Sequence, residues 1–513
     1  MDATTAKNFS VFRNVRCSAV FIISIITAAN ALAADWKFVP TLDFTETFSD
    51  NYKLTKTGTE ENAFITQIIP GILINATGHR LKFQTTYHLQ NTHYSGSNND
   101  SKTDHLLSAN ANAVLSDDLF FLDANANITQ QNLSPFGQVT NNNINLTNNQ
   151  TEVRTYSVSP YFRRKFDNNF IAELRYTRDS VSSDTQLYSN SKGDSFRANI
   201  NSGSAFKSVK WGVNYNRQEI DFEKQIPLNT TMTTVNFDYA ISSLVKLTST
   251  YGYENNSYFY QGSQASGYFG TLGFAWTPSE RTNIMFNTGH RFYGKTNALT
   301  ISQRARLSVW SLGYNEDVTT TRAEFLIPAG NNTSGFLNQL WQTSIPDPIQ
   351  RQKVVDSFIR DSALPSSLSQ PINTFTNQVF LQKTLLASVA MTGVQNTAIL
   401  SFFDSSRDPL SKTANSTPLP LTQGIVNQTG MNALWHVQFS PRTNANLNFG
   451  YTKSEDLLTG IKDTFKTLRL SLSRQLQPKL NAMLEARHVQ KNSNFVQTNY
   501  DENAITLYLF LGF

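Results

Sequence analysis

The chain has 513 residues, 43 of them Lys or Arg against 38 Asp or Glu, a formal net charge of +5 and a mean hydropathy of −0.35. A balance this near neutral, with basic residues scattered among acids, argues against a general nucleic-acid binder. A composition of 16% charged and 12% aromatic residues fits neither a disordered chain nor an ordinary helical protein. Beyond the N-terminal leader no stretch approaches the roughly 18 consecutive apolar residues of a membrane helix, so any crossing of a bilayer has to be made by strands.

Residues 1–33 predict a secretory signal peptide. Lys7, Arg13 and Arg16 precede the apolar run "SAVFIISIITAA", and the small residues Ala31 to Ala33 supply a cleavage site before "ADWKF". The three cations and Asp2 account for two of the five net positive charges. Cys17 is the only cysteine and lies ahead of the apolar run, which argues against a lipoprotein anchor and leaves the mature chain without thiols.

From Trp36 onward one device repeats. A strand of about ten residues alternates apolar with polar side chains, a short turn follows, and after the next strand comes a longer loop rich in Asn, Ser and Gly. Phe64, Ile68, Ile72 and Ile74 share one face, "NATGH" turns the chain, and Leu81, Phe83, Thr85, Tyr87 and Leu89 continue opposite Arg80, Lys82, Gln84 and His88. The pattern returns around "SDD" between Leu115 and Phe120, and around "RRKFDNN", from which Phe170, Ala172, Leu174 and Tyr176 emerge opposite Glu173 and Arg175. Phe196, Ala198 and Ile200 lead into "GSAFKS", and Leu272, Phe274 and Trp276 into "TPSER".

After "RLSVWSLGYNEDV" the alternation lapses from about 319 to 373. Within that insert "DPIQRQKVVDSFIRDSAL" predicts a helix, with Asp347 as N-cap, Pro348 in the first turn, Val354, Val355, Phe358 and Ile359 on one side, and Pro365 ending it. Strand parity makes the insert extracellular, folded inward as a constriction or seated over the mouth as a lid. Alternation then resumes: Leu468, Leu470 and Leu472 precede "QPK", and Leu480, Ala482 and Leu484 follow it.

The segments number about 22, an even count that puts both termini on the periplasmic side of an all-β transmembrane antiparallel β-barrel, residues 34–513. Every backbone N–H and C=O in hydrocarbon needs a partner, so the sheet has to close and the last strand has to pair with the first, around Phe38, Leu42 and Phe44. Trp36, Trp211, Trp276, Trp310 and Trp435 fall near strand ends, where an interfacial girdle would hold them. The ending "NAITLYLFLGF" resembles the C-terminal signature of bacterial outer-membrane proteins, which implies that Phe513, Leu511, Leu509, Leu507 and Ile505 are read by the barrel-assembly machinery.

The stretches "WKFVPTLDFTETFSDNYKL", "IIPGILINATGHR", "GHRFYG" and "LLASVAMTGVQNTAILSFFDSSRD" are similar to outer-membrane proteins found with PEP-CTERM/exosortase systems and exopolysaccharide loci in Gram-negative bacteria. The resemblance spans nearly the whole mature chain and implies an envelope role tied to exopolysaccharide or sorted surface proteins. It brings no active-site residue with it.

A search for chemistry finds no HExxH, no phosphate-binding Gly-rich loop and no GxSxG elbow, and His290 in "GHRFYG" reads as a strand position. No enzyme activity, cofactor or metal is expected. A channel for exopolysaccharide or other polar solutes is the first reading, with Arg80, Lys82, Glu173, Arg175, Arg197, Arg469, Glu485 and Arg487 as a mixed-charge lumen lining. The alternative is a non-transporting structural or assembly protein that holds surface matrix or sorted proteins. An energy-coupled receptor needs a plug ahead of the barrel, and alternation starting at Trp36 leaves no room for one. The expected partners are outer-membrane lipid, the barrel-assembly machinery and polysaccharide, and no nucleic acid.

Overall fold

The computed structural model describes residues 34–96, 100–140, 143–185, 188–257, 265–326, 331–342, 374–411 and 425–513, with Ile345, Arg351, Val355, Phe358 and Ile372. The signal-peptide reading of residues 1–33 lies outside the described residues.

The chain forms a single 22-stranded antiparallel sheet closed on itself. The first strand β1 (Asp35–Ser49) pairs with β2 (Ala63–Thr77) along its whole length and with the last strand β22 (Tyr500–Gly512) from Thr41↔Gly512 to Ser49↔Ala504. Closure leaves neither strand with an open edge, which removes the aggregation hazard of a chain ending on an apolar strand. No helix among the described residues is long and apolar enough to cross a membrane.

The connections differ between the two ends. At the end that holds both strand termini they are tight, as at 78–80, 117–119, 280–281, 441–442 and 478–479. At the other end they include 50–62, 133–149, 321–378 and 410–425. Four ladders carry a register shift, at Val114/Ser116, Trp276/Ser279, Gln438/Ser440 and Gln475/Gln477, and each lies beside a tight turn. An extra residue there increases the local twist and lets neighbouring strands reverse within two or three residues.

Side chains are sorted by the two-residue period. On β1, Phe38, Leu42, Phe44 and Phe48 are exposed on the outside, while Thr45, Thr47 and Ser49 are buried on the inside. On β22, Ile505, Leu507 and Phe513 are exposed, with Leu509 and Leu511 on the same face. Tyr500, Glu502, Ala504 and Thr506 point inward and are buried. The protein is apolar on the outside and polar within, the reverse of a soluble globule. Trp36, Trp211, Trp276, Trp310 and Trp435 all sit toward the tight-turn end of their strands, so the tryptophan ring marks one rim of the barrel.

The insert follows β15 (Ser308–Thr320) and ends at β16 (Val379–Thr392), so Thr319 and Thr320 still belong to the sheet. It contains helix α1 (Thr321–Leu326), helix α2 (Asn331–Trp341) and helical positions at Arg351, Val355 and Phe358. The rest of the 347–365 helix expected from the sequence, including Asp347, Pro348, Val354, Ile359 and Pro365, lies outside the described residues.

Candidate functional site: an obstructed lumen

The insert runs down inside the barrel. Phe336, Leu337, Leu340 and Trp341 of α2, with Val355 and Phe358, bury themselves against Val309, Ala390, Ile399 and Leu434. Those four are inward-facing residues near the tight-turn end of β15, β16, β17 (Asn396–Pro409) and β18 (Val426–Ser440). These strands carry apolar side chains on their inner face because helices, not water, cover them there. Arg304 at the tight-turn end of β14 (Gly294–Arg304) hydrogen-bonds Gln342, and the Phe358 ring meets His436 edge-on at 5.0 Å. Ile372 and Phe375 lie back toward the long-loop end. The Ile372 amide donates to Gln428 Oε1 and its carbonyl accepts from Gln428 Nε2, both at 2.8 Å, and the Phe375 amide donates to the Leu133 carbonyl at 2.9 Å.

Charged anchors tie the insert to separate walls. Arg322 of α1, 1% exposed, pairs with Asp179 of β7 (Phe170–Ser183) and donates from Nε to Ser191 Oγ at 2.8 Å. Two residues on, Glu324 receives Arg407 of β17 through both carboxylate oxygens, at 2.8 and 2.9 Å. Burial pushes the Glu324 carboxyl above its ordinary range, opposed by the charge of Arg407. β7 and β17 lie ten strands apart around the closed sheet, so α1 braces nearly opposite walls.

A second loop, 133–149, also turns inward. Tyr500 donates to the Val139 carbonyl at 2.7 Å, Tyr94 to the Ile144 carbonyl at 2.9 Å, and Asn145 Nδ2 to Glu502 Oε1 at 2.7 Å. Lys491, ion-paired with Asp463 at 2.7 Å, donates to the Gly137 carbonyl.

The eight lining residues taken from the sequence distribute unevenly. Arg80 lies in the 78–80 turn and pairs with Asp117 of the neighbouring 117–119 turn, so it belongs to the rim and not the wall. Its place in the alternation extends the strand one residue too far, because the chain reverses there. Lys82 is inward and exposed on β3 (Leu81–Tyr94). Arg175 pairs with Asp123 at 2.8 Å and Glu173 at 3.1 Å, with its guanidinium 3.8 Å above the Tyr161 ring. Arg197 faces Arg175 across the ladder and is exposed. Arg469, Glu485 and Arg487 face inward on β20 (Lys462–Gln477) and β21 (Leu480–Ser493). Arg487 holds Glu502 through two bonds of 2.9 and 3.0 Å, both side chains buried, beside a cavity of about 10 Å3 that Arg469 also lines. His290 lies on the outer face of β13 (Thr282–Arg291). Arg322, Glu324, Arg407, Lys491 and Glu502 escaped the sequence reading. The signal available was the pair of opposite charges in "TTTRAEFL", where the alternation stops.

These observations define a closed 22-stranded barrel with an apolar exterior and a lumen filled in part by its own loops. No family model and no curated protein matches the chain. Among solved structures it is similar to the FrpB iron transporter from Neisseria meningitidis (TM-score 0.49, 10% identity, 93% of this chain and 82% of that one). It is also similar to the siderophore receptor PirA from Pseudomonas aeruginosa (TM-score 0.48, 10% identity, 93% and 80%). A loop-deletion mutant of OmpT, an outer membrane protein of Vibrio cholerae, aligns with a TM-score of 0.33 at 7% identity over 94% of this chain and all of that one. The functional reading therefore rests on the chain's own geometry. Among the described residues no group of three or more His, Cys, Asp or Glu side chains is placed to hold a metal.

Proposed function

We propose that the protein resides in a bacterial outer membrane and works as a non-enzymatic channel for polar solutes, narrowed by the insert between β15 and β16. The observation that carries this reading is the insert's descent along the inner wall of a closed barrel whose outer face is apolar and whose inner face is polar. An apolar exterior of this extent is stable only against acyl chains, and a polar lumen shielded from them offers solutes a wet path. The sequence resemblance extends the proposal to exopolysaccharide as solute, within a PEP-CTERM/exosortase-linked envelope system. It also extends to the barrel-assembly machinery as the reader of Phe513, Leu511, Leu509, Leu507 and Ile505. Liposome swelling tests it: folded protein passes small sugars and passes them faster once α2 is cut away. Equal and negligible swelling in both forms would refute the channel.

The buried Arg322–Asp179 and Arg407–Glu324 pairs favour a second reading, a permanently closed barrel with a structural or assembly role, because each pair resists displacement of the insert. Under that reading flux stays at background even after the insert is cut.

A further inference from the structure

Among the described residues the interior is more covered toward the long loops than toward the tight turns. Toward the long loops the inward faces are buried around most of the ring, as at Ile65, Val153, Asp179, Glu254, Gln428 and Glu502, with Asp317 on β15 exposed. Toward the tight turns the same faces are exposed at Gln84, Asn110, Asn112, Asn201 and Thr300. Among the described residues, cover at that level is concentrated on one side, where the insert lies on β15–β18 and burial continues through Asn446, Ser471 and Glu485 on the three strands that follow. The result is a cup that opens on the rim where both strand termini lie.

The wall left free carries an arc of cations. Lys82 on β3, Arg163 on β6 (Gln150–Phe166), Arg197 on β8 (Ser191–Ser202), Lys210 on β9 (Val209–Phe222) and Lys246 on β11 (Val245–Asn256) are all exposed and face inward by register. None of the five holds an ion pair among the described residues. From β3 to β11 the acids at this level are few: Glu173 and Asp123 are already engaged by Arg175, which leaves Asp238 opposite Lys210, while on β1 Asp35 lies 4.0 Å from Lys37 and Asp43 faces inward. Between the cations lie uncharged donors and acceptors, with Thr250 Oγ1 bonded to Asn236 and Thr248 Oγ1 to Asn287, both at 2.9 Å. Two aromatic pairs also face inward at this level: Phe121 stacked on Tyr161 at 5.0 Å, and Tyr508 on Phe510 at 5.8 Å.

We infer that this cup binds an acidic, hydroxyl-rich saccharide chain that enters from the tight-turn rim. Unpaired cations suit carboxylates, Asn and Thr suit hydroxyls, and flat aromatic faces suit the apolar sides of sugar rings. The inference rests on the channel reading for its purpose, and its test does not depend on flux.

The test uses full-length protein in liposomes, with Cys17→Ser and single cysteines at Asn112 or Asn236 modified by a membrane-impermeant maleimide. Ala205→Cys in the 203–208 turn and Leu458→Cys in the 457–461 loop mark the two sides. Both interior cysteines are expected to react from the Ala205 side only. A tetramer of galacturonic acid is expected to slow that reaction at least about fivefold, a neutral maltotetraose much less, with the difference lost in Lys82→Gln/Lys246→Gln. Labelling from the Leu458 side, labelling from neither side, or equal protection by both tetramers overturns the inference. So does stronger protection by inorganic polyphosphate than by the acidic sugar. A channel failure shows separately, as absent flux in the swelling assay.

Discussion

Arg322 shows how one side chain fixes the insert. Its guanidinium is buried against Asp179, itself 5% exposed on the side chain, so Arg322→Ala leaves an uncompensated carboxylate. The expected loss is about 3–5 kcal/mol of insert docking, measured as earlier proteolytic release of α2 in a denaturant series, and Arg322→Met with Asp179→Leu is expected to recover most of it. Gly430 on β18 sets a different limit: a Cβ there would lie 2.4 Å from the Phe403 ring. Gly430→Ala is therefore expected to cost about 1–3 kcal/mol in unfolding measurements on lipid-embedded protein. At this scale the sequence was legible where parity alone decides, as for Glu173, Arg175, Arg469, Glu485 and Arg487. For Glu502 parity gives the inward face but not the partner, since only the register of β21 on β22 brings Arg487 within hydrogen-bond reach of it.

The strand is the element that period two describes well, and outward-facing leucines give it a direct test. Leu470 is 55% exposed on the outer face of β20. Leu470→Arg is expected to cost about 2–4 kcal/mol of folding free energy in a bilayer, with the cost falling toward the rims. Closure has its own test. Thr47 and Thr506 face each other across the β1–β22 seam with hydroxyl oxygens 3.0 Å apart. Thr47→Cys with Thr506→Cys is expected to oxidise to an intrachain disulfide, seen as a mobility shift on unfolding gels; absence of the bond in folded protein would count against the seam. Strand number and the pairing of the ends could be read from alternation because lipid demands it of every strand. The four register shifts beside tight turns could not, because a bulge changes geometry without changing composition.

For the molecule as a whole, the insert decides whether the barrel is a pore. Its apolar residues announced a buried helix in the sequence, yet nothing in Val355 or Phe358 states which surface buries them. That surface is spread over Val309, Ala390, Ile399 and Leu434 on four strands, and only closure of the sheet brings them together. The cationic cup was hidden for the same reason, since Lys82, Arg163 and Lys246 are remote in sequence and meet only around the ring. The most direct measurement is single-channel conductance in planar bilayers, comparing the full chain with one in which a short Gly/Ser linker replaces 321–378. A small or flickering conductance is expected for the full chain and a steady, several-fold larger one after replacement. Identical conductance from two folded proteins would contradict this expectation.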